Sequence, residues 1–185
     1  MRNIKPAPKP DIPAFFDLVI TKIQDTLVSE LPWLDHAFGK AQELVRTRDN
    51  RDYRYPGVYV RRDEYQNVEP NQGLGNYSFF VLNDPQQVER HQNQYGRVTA
   101  DCALILWVDL SKVGSDIEAV KAEVLGVLKR MRLVVGNFTV NTISEKARNV
   151  FREYSLKEVE SQFMMYPYAG LRFDGEMTFL EQCNS

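Results

Sequence analysis

The sequence predicts an α+β domain, with about three helices packed mainly on one face of a mixed or antiparallel sheet. Three observations carry this. Residues 99–110, T-A-D-C-A-L-I-L-W-V-D-L, are apolar on both parities: Cys102, Leu104, Leu106 and Val108 on one side, Ala103, Ile105 and Trp107 on the other. Successive strand residues point to opposite faces, so this run describes a central strand covered from both sides. A buried helix would give the same run, and the turn chemistry of residues 109–115 favours the strand. Residues 116–132 place Ile117, Val120, Val124, Val127, Leu128 and Met131 at three- and four-residue steps, the stripe of a helix lying on a sheet. Residues 171–179 alternate cleanly, Leu171, Phe173, Met177 and Phe179 against Arg172, Asp174, Glu176 and Thr178. That pattern describes a strand with one wet, charged face, beside the central strand.

A chain of 185 residues is long enough to bury one core without staples, so residues 14–185 are expected to form a single domain. A hydrophobic content of 43% with 26% charged residues counts against disorder and against a coiled coil. The net charge of −2 lacks the basic excess of a dedicated nucleic-acid binder. No apolar run reaches the length of a membrane span, and the N-terminus lacks the apolar centre of a signal peptide. Cys102 and Cys183 are too few for a disulfide framework and read as buried free thiols in a reducing cytoplasm.

In chain order, residues 1–13 hold four prolines between Arg2, Lys5 and Lys9, which describes a flexible, extended basic arm. Such an arm either frays or orders against a neighbouring subunit. Residues 14–31 carry Phe15, Phe16, Val19, Ile23 and Leu27 at helical spacing, with Pro13 in the first turn and Pro32 as the stop. The aromatics of residues 33–38 pack beneath the helix end, and His36 reads as a packing or surface residue. Residues 46–54 alternate charge without apolar periodicity and read as a solvated connection. Strands follow at 58–62 and 77–82, separated by a Pro/Gly/Asn loop. Residues 83–97 form a long polar connection, and a loop of that length between strands is often functional. Ser115 to Glu118 fits a capping box for the central helix. A strand is expected at 138–143, then a helix capped by Ser144 with Ala147, Val150, Phe151 and Tyr154 on one face. Gly175, in phase with the apolar set of the last strand, marks a bulge or a close backbone approach.

Motifs for chemistry are sparse. The G-x-G at Gly73 and Gly75 precedes a strand, whereas phosphate binding needs a helix N-terminus behind the glycines. Asp101 and Asp109 are too far apart along one strand to share a proton or an ion, and read as the points where it emerges into water. Neither cysteine sits at a helix start that would stabilise a thiolate. An enzyme would need a pocket joining His91, Tyr77 and Arg97. No catalytic residue, cofactor or metal is therefore expected. A small cytoplasmic adaptor module and an enzyme with an unrecognised site remain the alternatives.

The order of elements, with L-P-W-L-D at Leu31, A-L-I-L-W-V-D-L at Ala103 and P-Y-A-G-L-R-F-D-G-E-M-T-F-L-E-Q-C at Pro167, resembles the tail-terminator and tail-completion proteins of tailed phages. The resemblance implies a non-enzymatic, prophage-encoded structural protein, a ring-forming subunit of tail or head–tail assembly. It further implies other tail or connector proteins as partners, no membrane and no specific nucleic acid, and a cytoplasmic protein that enters the virion on assembly. The residues expected at subunit contacts are Asp84, Glu89, Arg90, His91, Tyr95 and Arg97 in the polar loop, and Arg172, Asp174 and Glu176 on the last strand. The second cover of the central strand is then either the N-terminal helix or another copy of the chain.

Overall fold

A computed structural model describes residues 9–10, 13–61, 64–84, 86–89 and 96–180. Among them run α1 (Phe16–Glu30), β1 (His36–Arg48), β2 (Arg51–Arg61), β3 (Glu64–Asn67), β4 (Tyr77–Leu82), β5 (Gln87–Glu89), β6 (Arg97–Asp109), α2 (Leu110–Val113), α3 (Ile117–Arg130), β7 (Gly136–Ser144), α4 (Ala147–Val150) and β8 (Tyr168–Leu180). The eight strands form one mixed sheet in the order β3-β2-β1-β4-β6-β8-β7, with β5 paired to the start of β6. Only β1 and β4 run parallel; every other pairing is antiparallel. The α+β class and the mixed sheet match the sequence expectation.

The apolar run 99–110 becomes β6, flanked by β4 and β8. It pairs with β8 without a break from Arg97↔Leu180 to Asp109↔Tyr168. Its even residues Cys102, Leu104, Leu106 and Val108 join one core with α1 and α3. Its odd residues Ile105 and Trp107 join a second core with Phe79, Val150, Phe151, Tyr154 and Phe163. Both faces are therefore closed by the chain itself. The second cover is the segment 147–163, which is neither α1 nor another copy. Burial on both sides explains why this strand lacks polar alternation.

The two long helices share a face, as expected. α1 begins at Phe16, so Pro13 lies ahead of it and not in its first turn. Phe15 leaves the buried stripe, with φ +50° and its ring edge-on to Phe179 at 5.5 Å. Gln24, buried, donates from Nε2 to the Ala37 carbonyl at 2.7 Å and ties α1 to β1. α3 is capped by Asp116, whose Oδ1 accepts from the Ala119 amide at 2.8 Å, and not by Ser115. The helix expected from Ser144 is replaced. Ser144 ends β7, α4 is one turn without a side-chain cap, and 3-10 turns carry the chain to Met164 across the opposite face. Val150, Phe151 and Tyr154 are buried there, so their apolar spacing was real but served a turn-rich cover.

Residues 46–54 are not a loop. They form the distal half of a β1–β2 hairpin, registered from Ala41↔Val58 to Arg48↔Arg51. The turn is Asp49-Asn50, with φ +50° and +55°, the left-handed pair that a two-residue hairpin loop requires and that Asp and Asn tolerate. β4 pairs with β1 only as far as Lys40, so the hairpin end stands clear of the sheet with both faces wet. A strand without a buried face leaves no hydrophobic period to read.

Gly175 marks a close approach of β7 and β8. A Cβ there would collide with the Thr139 carbonyl oxygen, and β7 carries a one-residue irregularity between Val140 and Thr142 directly opposite. Gly175→Ala is expected to cost about 1–3 kcal/mol through this overlap. Hydrogen exchange should speed up selectively in β7; unchanged β7 protection and melting temperature would contradict the packing described.

Candidate functional site

The charged residues of β8 were expected on a wet face. Arg172 is instead completely buried. Its Nη1 donates to Glu153 Oε2 at 2.7 Å and to the Val150 carbonyl at 3.1 Å. Nη2 donates to Glu153 Oε1 at 2.6 Å, and Nε to Asp174 Oδ1 at 2.8 Å. Arg152 Nη2 adds a second bond to the same Asp174 oxygen at 2.9 Å. Burial pulls the Arg172 pKa down, but the bonds and charges of Glu153 and Asp174 outweigh it and leave the pKa raised. Four of its five N–H donors are thus engaged within the chain. The guanidinium is a strut that clamps residues 150–153 onto the sheet, with little left to hold an anion. Arg172 cannot contact another subunit, and Asp174 is largely committed to the same cluster.

The other chemistry-bearing residues are also structural. Cys102 is buried in β6, and burial, with Asp101 and Asp174 nearby, pushes its thiol well up. In a Cys183→Ser background, Cys102 should react with a thiol reagent only on unfolding. Stoichiometric labelling of the native protein within minutes would contradict the placement. Asp109, expected to emerge into water, is buried at the start of α2. Burial pushes its pKa up, but hydrogen bonds from Ser111 and Lys112 prevail and hold it below the usual value, as a capping carboxylate. Tyr77 is fully buried and donates its hydroxyl to the Val68 carbonyl at 2.8 Å. It is therefore not available to a pocket with Arg97, and His91 lies outside the described residues. Gly75 of the G-x-G has φ +65°, and a Cβ there would strike Asp35, whose Oδ2 accepts the Asn76 amide at 2.8 Å. That turn sets the entry of β4. Among the described residues no cluster of His, Cys, Asp and Glu is placed to hold a metal, and no helix is long and apolar enough to cross a membrane.

The polar loop 83–97 is partly a hairpin, because Gln87–Glu89 pairs with Arg97–Thr99. Arg90, His91 and Tyr95 lie outside the described residues, as does most of the arm 1–13, apart from Lys9 (paired with Asp25 at 2.8 Å), Pro10 and Pro13. Asp84 is exposed. Glu89 is the register partner of Arg97 on the backbone ladder, and Arg97 Nη2 reaches Glu176 Oε1 at 3.5 Å, so two of the expected contact residues form a charged pair across β6 and β8.

The surfaces that the fold leaves open are its edges. β3 ends the sheet on one side, four residues long, with Glu64 and Gln66 exposed. β7 ends it on the other, nine residues, G-N-F-T-V-N-T-I-S, without a charge or a proline. Edge strands are ordinarily protected by charge, proline or shortness, because unpaired backbone groups invite another strand. β3 has two of these protections. β7 has only its bulge. Beside β7 a groove of about 280 Å³ runs along α3, walled by Leu125, Leu128, Met131, Phe138 and Val140, with Lys129 and Arg132 at its rim. Sequence reasoning missed this edge, although the charge-free run 136–144 was visible, because edge position is a property of strand order. Comparison with protein-family models and with curated proteins gave no match for this chain.

Proposed function

We propose that this chain is a non-enzymatic structural subunit of phage or prophage tail or head–tail assembly, and that it forms a ring. The observation that carries the assembly reading is the contrast between closed faces and open, unlike edges. Both sheet faces are filled by the chain's own residues, so further association falls to the edges and their flanks. Two different edges favour a head-to-tail contact, and a repeated head-to-tail contact closes into a ring when the rotation permits. Open edges are common to many sheets; the phage context rests on the layout of the sequence, from the amphipathic first helix to the long alternating last strand. The surface pair Arg97 and Glu176, with the exposed Asp84, offers polar groups to neighbouring tail or connector proteins.

Negative-stain electron microscopy of the purified protein, alone and mixed with the tail and connector proteins encoded beside it, tests this directly. Rings of uniform diameter formed by the protein alone, and their incorporation at the end of a tail tube in the mixtures, are the expected result. Particles that stay monomeric in every mixture, or that bind a single partner one to one, would overturn the ring in favour of an adaptor module.

A further inference from the structure

We propose that copies of this chain join by strand pairing, β3 of one copy against β7 of the next, with Tyr65 seated in the groove between β7 and α3. This rests on the assembly reading above and names its contact. Tyr65 is 38% exposed at the β3 edge. It lies opposite Tyr59, the two rings edge-to-face at 6.1 Å, and both line a cavity with Ile20 and Gln24 of α1. Tyr65 therefore stands on the helix-bearing face of the sheet. At the far edge, Phe138 belongs to the core beneath α1 and α3, and Val140 packs against that core. The groove they wall is on the same face. A sheet continued from one copy into the next thus brings an aromatic knob onto a recess of mixed lining, with Leu125, Leu128, Met131 and Phe138 for the ring and Lys129 and Arg132 for its hydroxyl.

Strand direction agrees with this. Following the pairings from β7 to β3, the strands run so that β3 and β7 point in opposite directions. Two copies in the same orientation, helices on the same side, therefore meet as an antiparallel pair, the arrangement of every other junction here except β1–β4. The groove of about 280 Å³ has room for a phenol ring, since an apolar cavity of about 150 Å³ takes benzene. Main-chain bonds along β7 would supply affinity, and the Tyr65 pocket the register. The contact joins unlike surfaces, so it repeats from copy to copy and does not stop at a dimer.

Site-directed cross-linking tests it. In a Cys183→Ser background, Gln66→Cys and Thr139→Cys place thiols on the exposed face of β3 and β7, away from the helices, and a short bis-maleimide spans them. The double variant is expected to give a ladder of trimers and larger species, and each single variant none. Tyr65→Asp, on an exposed residue, should weaken association by at least about tenfold in Kd while leaving the melting curve unchanged. Dimers formed by Thr139→Cys alone, or full assembly by Tyr65→Asp, would overturn the β3–β7 contact while an oligomeric parent protein still supported the assembly reading. A parent protein that sediments as a monomer at every concentration would overturn both.

Discussion

Arg172→Met is expected to destabilise the protein by about 3–5 kcal/mol, one of the two largest effects of any single substitution considered, because it breaks a buried ion cluster from its centre. The guanidinium holds both Glu153 oxygens, Asp174 and the Val150 carbonyl. Without it Glu153 and Asp174 keep the half-exposed Arg152 as counter-charge but lose their buried partner, and the Val150 carbonyl loses its buried donor. For a chain of this length the melting temperature should fall by roughly 2–4 °C per kcal/mol. Combining Arg172→Met with Glu153→Leu should recover much of the loss, since an apolar pair can replace a buried ion pair at little net cost. A thermal or urea double-mutant cycle measures this. A single-variant loss below about 1 kcal/mol, or no recovery in the double, would show that the cluster does not clamp residues 150–153.

Phe151→Ala should cost a similar amount, about 3–5 kcal/mol. Phe151 is 1% exposed, with its ring centroid 5.8 Å from Trp107 and 6.4 Å from Phe79. It is the side chain by which the turn-rich cover grips the central strand. Removing it leaves a cavity against β6 and β4, and a domain stable by about 5–15 kcal/mol would lose a large share of that margin. The companion change Trp107→Phe separates packing from polarity. The indole Nε1 is buried without a hydrogen-bond partner among the described residues, so losing it removes a desolvated donor and offsets part of the lost volume. Phe151→Ala should therefore be clearly the more damaging in chemical denaturation; the reverse order would contradict the placement of the second core.

What the sequence disclosed follows from what each element buries. The two-sided apolarity of residues 99–110 required two covers, and the stripe from Ile117 to Leu128 identified one of them. Gly175 announced a close backbone approach before its partner, the Thr139 carbonyl, was known. The β1–β2 hairpin stayed hidden because its distal half buries nothing; the Asp49-Asn50 turn was its one local signal. Arg172 misled because alternation with Asp174 and Glu176 is also what a solvated strand face looks like. Only the arrival of Glu153 and the Val150 carbonyl, 19 and 22 residues earlier in the chain, turns that position into a buried one. The expected interface residues divide accordingly. Arg172 belongs to the interior, Asp84, Arg97 and Glu176 lie on the surface, and the β7 edge is a candidate that strand order alone could provide.

The central claim is assembly, and sedimentation velocity of the purified full-length protein over a wide concentration range tests it most directly. The account predicts species at integral multiples of the 21.4 kDa chain, three or more, growing at the expense of the monomer as concentration rises. A single 21.4 kDa species at every concentration, or a dimer that never grows, would contradict it.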